Sequence, residues 1–173
     1  MEVECKGPGW YPNEEYYLCR FNILREPLGF SRGAEILEDD SEAIHSWFEI
    51  KGRPVVVGRA HLIPDGSDGS QADHAGPGAA HCPAFTPLQE EGFRPAIQIR
   101  QMGTLPKYRR KGLAGLVLLQ LERASKKEFS AKYGFLQARE GAIPFYQSHG
   151  WEIIDEPYSI ERIGPHRSMM KKL

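Results

Sequence analysis

The sequence predicts an α/β domain with a mixed, mostly antiparallel central sheet flanked by helices. Three observations lead there. Alternating apolar residues on either side of the turn Lys51-Gly52-Arg53-Pro54 read as a hairpin of strands 43–50 and 55–62. A third strand, 96–105, runs through a basic turn into a helix, 112–127, whose Leu113, Leu116, Val117, Leu121 and Ala124 fall on one apolar stripe. Beyond it come a short strand, a short helix and two more strands, and elements in that order pack as one layered α/β unit.

The remaining elements follow from local signals. Helix formers over 14–24 come after Asn13, a residue suited to accept a hydrogen bond from the first helical turn, and Pro27 and Gly29 close the segment. Tyr16, Tyr17, Phe21 and Leu24 can share its buried side. Residues 36–40 are acidic and turn-like. Residues 135–138 read as a short buried strand, and 141–148 as a short helix ended by Gly150. The last two strands fall at 151–154 and 167–171, joined by 157–165. Residues 64–95 are rich in Gly, Ala, Pro, Ser and Asp with little hydrophobic period, which predicts an elaborated loop between two central strands.

Composition narrows the possible functions. At 173 residues the chain is long enough for one domain with a real core. A net charge of −1 predicts no nucleic-acid or other polyanionic partner, so any anion must be bound locally. No apolar run approaches a membrane span, and no signal peptide is expected. Cys5, Cys19 and Cys82 are too few and too scattered for a disulfide framework, which suits a reducing, cytoplasmic setting. His74, His81 and Cys82 with Asp65, Asp68 and Asp73 lack zinc-type spacing, and no metal is expected.

The most informative stretch is Pro106-Lys107-Tyr108-Arg109-Arg110-Lys111-Gly112-Leu113-Ala114. A polar, basic turn enters an apolar helix, and the first turn of a helix carries unpaired N–H groups at the positive end of its dipole. Phosphate is the usual guest of such an end. Gly112 and Ala114 keep bulk away, so a pyrophosphate can lie close. A solvated basic turn would have the same charge but no need of that helix start.

Arg109-x-x-Gly112-x-Ala114 resembles the Arg/Gln-x-x-Gly-x-Gly/Ala signature of the GCN5-related N-acetyltransferases. Upstream, Ile99-Arg100-Gln101-Met102-Gly103-Thr104-Leu105-Pro106 is similar to that family's fourth strand. Downstream, Ala142-Ile143-Pro144-Phe145-Tyr146-Gln147-Ser148-His149-Gly150-Trp151 is similar to its A-x-x-F-Y-x-x-x-G-F segment. Ile163-Gly164-Pro165-His166-Arg167-Ser168-Met169 resembles the ending of one bacterial subgroup, as does Leu24-Arg25-Glu26-Pro27-Leu28-Gly29 near the first helix. The resemblance is firm from Ala96 onward and looser before it.

The resemblance implies a single acyl-CoA N-acyltransferase-like domain that uses acetyl-CoA as co-substrate. It implies that Arg109, Arg110, Lys111, Gly112, Leu113 and Ala114 hold the pyrophosphate. Met102, Gly103 and Thr104 would run beside the pantetheine arm at a bulge, with one N–H meeting the thioester oxygen. Tyr146 matches the tyrosine whose hydroxyl protonates the departing thiolate. Where relatives often have an asparagine that contacts the coenzyme, seven residues before the tyrosine, this chain has Arg139. His166, Glu140 and a held water are candidates for the base, and Arg100 either pairs with a buried carboxylate or faces the acceptor. Arg25, Trp10 and Tyr11 either line the acceptor pocket or pack the first helix. The expected acceptor is a primary amine on a small molecule, and the expected assembly is a monomer or homodimer. The alternative is a non-catalytic acyl-CoA sensor or partner-binding module.

Overall fold

The computed structural model describes residues 2–173. In chain order the elements are β1 (Val3–Lys6), α1 (Glu14–Leu24), β2 (Ile44–Ile50), β3 (Arg53–Leu62), the short strands β4 (Gln71–Ala72) and β5 (His81–Cys82), β6 (Ala96–Thr104), α2 (Leu113–Phe129), β7 (Tyr133–Arg139), α3 (Ile143–Ser148), β8 (Glu152–Ile153), β9 (Tyr158–Ile160) and β10 (Gly164–Lys172). The main sheet runs β1-β2-β3-β6-β7-β10-β8, with β9 added on β10. Its pairings are antiparallel except for β6 and β7, which run parallel. The mixed, mostly antiparallel sheet is the one the sequence predicts.

Period-two alternation divides the strands between two faces. Phe48, Val56, Ile97, Leu136 and Met169 join Val117, Leu118 and Leu121 of α2 and Ile143 and Tyr146 of α3. Their neighbours Trp47 and Val57 instead meet Tyr16, Cys19 and Ile23 of α1. Helix α1 starts where expected, because the Asn13 side chain accepts from the Tyr16 N–H at 3.0 Å. It lies close on the sheet at Gly103, where a Cβ would sit 2.3 Å from Ile23 Cγ2.

Beneath α1 lies a buried ionic network. Asp40 is shared by Arg20 and Arg59, each at 2.8 Å, and Arg59 also holds Asp39 at 2.8 Å. Burial would raise the Asp40 carboxyl, but the two guanidinium groups outweigh it and hold it below the ordinary range. Tyr17 donates to the same carboxylate, and His45 sits between the Tyr16 hydroxyl and the Asp40 carbonyl. A charged pair stripped of one partner here would leave the other buried and uncompensated.

Two expectations are corrected. Residues 3–6, not predicted as an element, form edge strand β1 along β2. The connector at 157–165 contains β9, which folds back on β10. The segment 64–95 joins the central strands β3 and β6 as expected, and despite its composition it buries Cys82, Phe85 and Leu88. Phe85 packs on Phe135 of β7 with ring centroids 5.2 Å apart, and Arg94 donates to the carbonyls of Pro64, Ser67 and Leu88. A few well-placed anchors replace the periodic stripe that sequence patterns detect. Among the described residues no helix is long and apolar enough to cross a membrane.

Candidate active site

The site begins as a gap between strands. β6 and β7 pair only at Ala96, Ile97 and Gln98 against Tyr133, Gly134 and Phe135, although β6 continues to Thr104 and β7 to Arg139. Past the third pair the strands part. On its other edge β6 carries a bulge: Arg100 pairs with Arg59 and Gly103 with Val57, leaving Gln101 and Met102 opposite the single residue Gly58. Gln101 takes a positive φ of 56°. The bulge thus falls one residue upstream of the 102–104 segment expected from the sequence. Gly58 makes room for it, since a Cβ there would lie 2.2 Å from Met102 Sδ.

This geometry aims backbone donors. The Leu105 N–H bonds the Val55 carbonyl at 2.9 Å, so it faces β3. N–H directions alternate along an extended chain, which turns the Met102 and Thr104 N–H groups toward the gap. Arg109 donates to the Thr104 carbonyl at 3.1 Å and so stands at the same edge. The turn from Arg109 to Gly112 is exposed, with Arg110 at φ 58° and Gly112 at φ 75°. Gly112 caps α2 with no side-chain hydrogen bond, so the first-turn N–H groups of Leu113 and Ala114 face outward with no side chain satisfying them. A Cβ on Gly112 would meet nothing within 4 Å. Open donors, positive dipole and the cations Arg109, Arg110 and Lys111 suit a pyrophosphate.

A cavity of about 130 Å³ occupies the gap, lined by β6, β7 and three contributors from elsewhere: Leu24 and Arg25 at the end of α1, Asp73 from the long loop, and Ile163 and His166 from the β9–β10 hairpin. Tyr146 of α3 lines it too, is 8% exposed, and its hydroxyl bonds no other described residue. Burial pushes the phenol up, further than the nearby Arg139 pulls it down, so it stays protonated at neutral pH. His166 Nδ1 lies 2.7 Å from the Gly164 carbonyl oxygen. A carbonyl only accepts, so Nδ1 holds the proton and Nε2 presents a lone pair. Burial pushes the His166 pKa below its ordinary value, keeping the ring neutral.

The other expected residues divide. Arg100 lines the cavity wall but spends its guanidinium on the loop, donating to Gln71 Oε1 at 3.1 Å and to the Ala72 and Asp73 carbonyls at 2.9 and 2.8 Å. Burial and then Arg59 lower its pKa to about 10. Arg139 lines the cavity and forms no ion pair among the described residues. Arg25 lines it as well, donating to Gln101 Oε1 at 3.3 Å. Glu140 is exposed at the end of β7 and outside the lining. Trp10 stacks on Trp47, and Tyr11 is 77% exposed. Sequence reasoning missed Asp73 as a cavity residue. Its only signal was an acidic side chain in a Gly-rich segment. Among the described residues no group of three or more His, Cys, Asp or Glu side chains is placed to hold a metal ion.

Comparison with known proteins agrees with this geometry. The Bacillus subtilis (strain 168) protein described as uncharacterized N-acetyltransferase YjcF is 30% identical over 74 residues, which cover 43% of this chain and 52% of that protein. The chain thus matches about half the length of that relative. The fold is shared with Escherichia coli ElaA, at TM-score 0.66 and 15% identity over 99% of both chains. It is also shared with an Elizabethkingia anophelis GNAT family acetyltransferase solved with acetyl-CoA bound, at TM-score 0.58 and 12% identity over 99% of this chain and 97% of that one. The model of the acetyltransferase (GNAT) domain matches residues 45–153, and the chain belongs to that family.

Proposed function

We propose that this protein transfers an acetyl group from acetyl-CoA to a primary amine on a small molecule, by direct attack in the gap between β6 and β7. The observation that carries the reading is the meeting, in one cavity, of a protonated and unpartnered phenol on Tyr146 with a neutral imidazole on His166 whose Nε2 is free. The backbone turn at the head of α2 supplies the anion site at the cavity's edge.

Acetyl-CoA supplies the acetyl group through its thioester. Arg109, Arg110, Lys111 and the first-turn N–H groups of α2 hold its pyrophosphate, and an N–H of Met102 or Thr104 polarises the carbonyl. Such a preorganised donor contributes roughly 3 kcal/mol to the transition state. His166 Nε2 takes a proton from the amine as the C–N bond forms. Tyr146 gives its proton to the sulfur as the C–S bond breaks. The proton on His166 then returns to Tyr146 through solvent, leaving amide, free thiol and unchanged enzyme. His166 thereby takes the base role left open between it, Glu140 and a water. Its place in the Ile163–Met169 segment fits the likeness to the bacterial subgroup.

Among the described residues no Cys, Ser or Thr side chain lines the cavity, which favours direct attack over an acyl-enzyme. Its small volume, bordered by Asp73 of the long loop and by Ile163 and His166 near the β9–β10 turn, favours a small acceptor over a protein segment. The scattered, unpaired cysteines suit a cytoplasmic enzyme.

The test is continuous thiol release, read with dithionitrobenzoate, across a panel of primary amines. Steady turnover with at least one amine is expected. Binding of acetyl-CoA without turnover on any amine would make the protein an acyl-CoA sensor instead.

A further inference from the structure

We propose that Asp73, carried into the cavity by the loop between β3 and β6, is the specificity-determining residue that receives the acceptor's amino group. The proposal rests on the acetyl-transfer reading and adds to it the group that selects the acceptor.

Among the described residues, Asp73 is the only carboxylate lining the cavity. The other charged side chains there, Arg25, Arg100 and Arg139, are cations with donors alone. An amine presents N–H groups and needs acceptors. An ammonium would also be repelled by three guanidinium groups were Asp73 absent. Its Oδ2 is buried and accepts no hydrogen bond among the described residues. The nearest cation, Arg25 Nη1, is 3.7 Å away, inside ion-pair range but beyond a hydrogen bond. A buried carboxylate oxygen left in that state is costly unless a donor fills it.

The position is built. The Asp73 N–H bonds the Ala80 carbonyl at 2.8 Å across the β4–β5 hairpin. Its own carbonyl accepts from Arg100 at 2.8 Å and from Arg25 at 3.3 Å. Oδ1 accepts from the Cys82 thiol at 3.7 Å, which leaves Oδ2 as the open atom. Two arginines therefore fix the backbone of this residue while its side chain keeps one free acceptor. With His166 Nε2, Oδ2 gives the amine two acceptors in the cavity that contains the Tyr146 hydroxyl. One N–H can be held by Asp73 while the other is given up to His166.

The experiment compares wild type with Asp73→Asn and Asp73→Glu, using ethanolamine, glycinamide and benzylamine as acceptors. Asn keeps the shape and removes the charge. The expected result is at least a tenfold fall in acceptor kcat/KM for Asp73→Asn, carried mainly by KM, with partial recovery in Asp73→Glu and an unchanged KM for acetyl-CoA. That unchanged KM and an unshifted melting temperature establish that the variant is folded. An acceptor kcat/KM that is unchanged or raised in folded Asp73→Asn overturns the proposal and makes Asp73 a loop anchor. Stabilisation by the same amines, with coenzyme A present, is the second readout. If wild type turns over no amine yet is stabilised by them and Asp73→Asn is not, the transfer reading fails while the amine site stands. If neither protein is stabilised and neither turns over, the amine site is overturned as well.

Discussion

The two walls of the cavity are specified in different ways. The wall proposed for the coenzyme is one continuous stretch, from β6 through the Arg109 turn into α2. What it offers is backbone: a bulge, aimed N–H groups and an uncapped helix start. The wall proposed for the acceptor is assembled from Arg25, Asp73, Ile163 and His166, which lie far apart in the chain and meet only in the fold. Backbone recognition needs small residues and turn chemistry at fixed spacing, so it leaves a local signature. Side-chain recognition from separate loops leaves none. A shared donor with varied acceptors is what such a division permits.

Five substitutions test this contrast. The largest effect is expected where the walls meet. Tyr146→Phe should lower kcat by about 100-fold or more, with little change in the KM for acetyl-CoA. An unchanged kcat would remove Tyr146 from the chemistry. His166→Ala should cost roughly 100-fold at neutral pH and also change the pH profile. The neutral ring is the active form and its pKa is depressed from 6.5, so wild-type activity should persist as pH falls through 6.5 and collapse only below it. That acidic limb should vanish in the variant, and its survival would assign the limb to another group.

On the acceptor side, Phe85→Ala should destabilise the protein by about 3–5 kcal/mol, because it removes the main anchor of the long loop on Phe135. It should raise the acceptor KM while sparing acetyl-CoA, as expected if the loop holds Asp73 in place for the acceptor. Equal changes in both would show that the loop supports the whole sheet. On the coenzyme side, Gly112→Val places a branched residue at φ 75°, and the local strain of about 1–3 kcal/mol should weaken acetyl-CoA binding about tenfold by calorimetry. Arg109→Ala should weaken it less, by about two- to fivefold, and more at low salt than at high, since the side chain adds charge to a site made by backbone. A larger loss from Arg109→Ala than from Gly112→Val would reverse that ranking.

The same contrast explains what the sequence disclosed. Asn13, the Lys51–Pro54 turn and the stripe on α2 are local signals, and α1, the β2–β3 hairpin and α2 follow from them. The turn that leads into α2 and the place of Tyr146 on α3 were legible because their spacings are fixed within one segment. Strand β1 has only four residues and depends on β2 for its pairing. The 64–95 segment owes its order to Phe85, Leu88, Arg94 and Arg100, contacts that have no period along the chain. Asp73 was one acidic residue among several there, and only the fold separates it from Asp65 and Asp68. Glu140 lies one residue from Arg139 in sequence, yet the end of β7 turns it outward.

Direct transfer as proposed requires both walls to act together on two substrates held at once. Initial rates of thiol release, with acetyl-CoA and the best amine varied against each other, test this. Intersecting double-reciprocal lines, the pattern of a ternary complex, are expected. Parallel lines, with an acetylated enzyme isolable in the absence of amine, would contradict it.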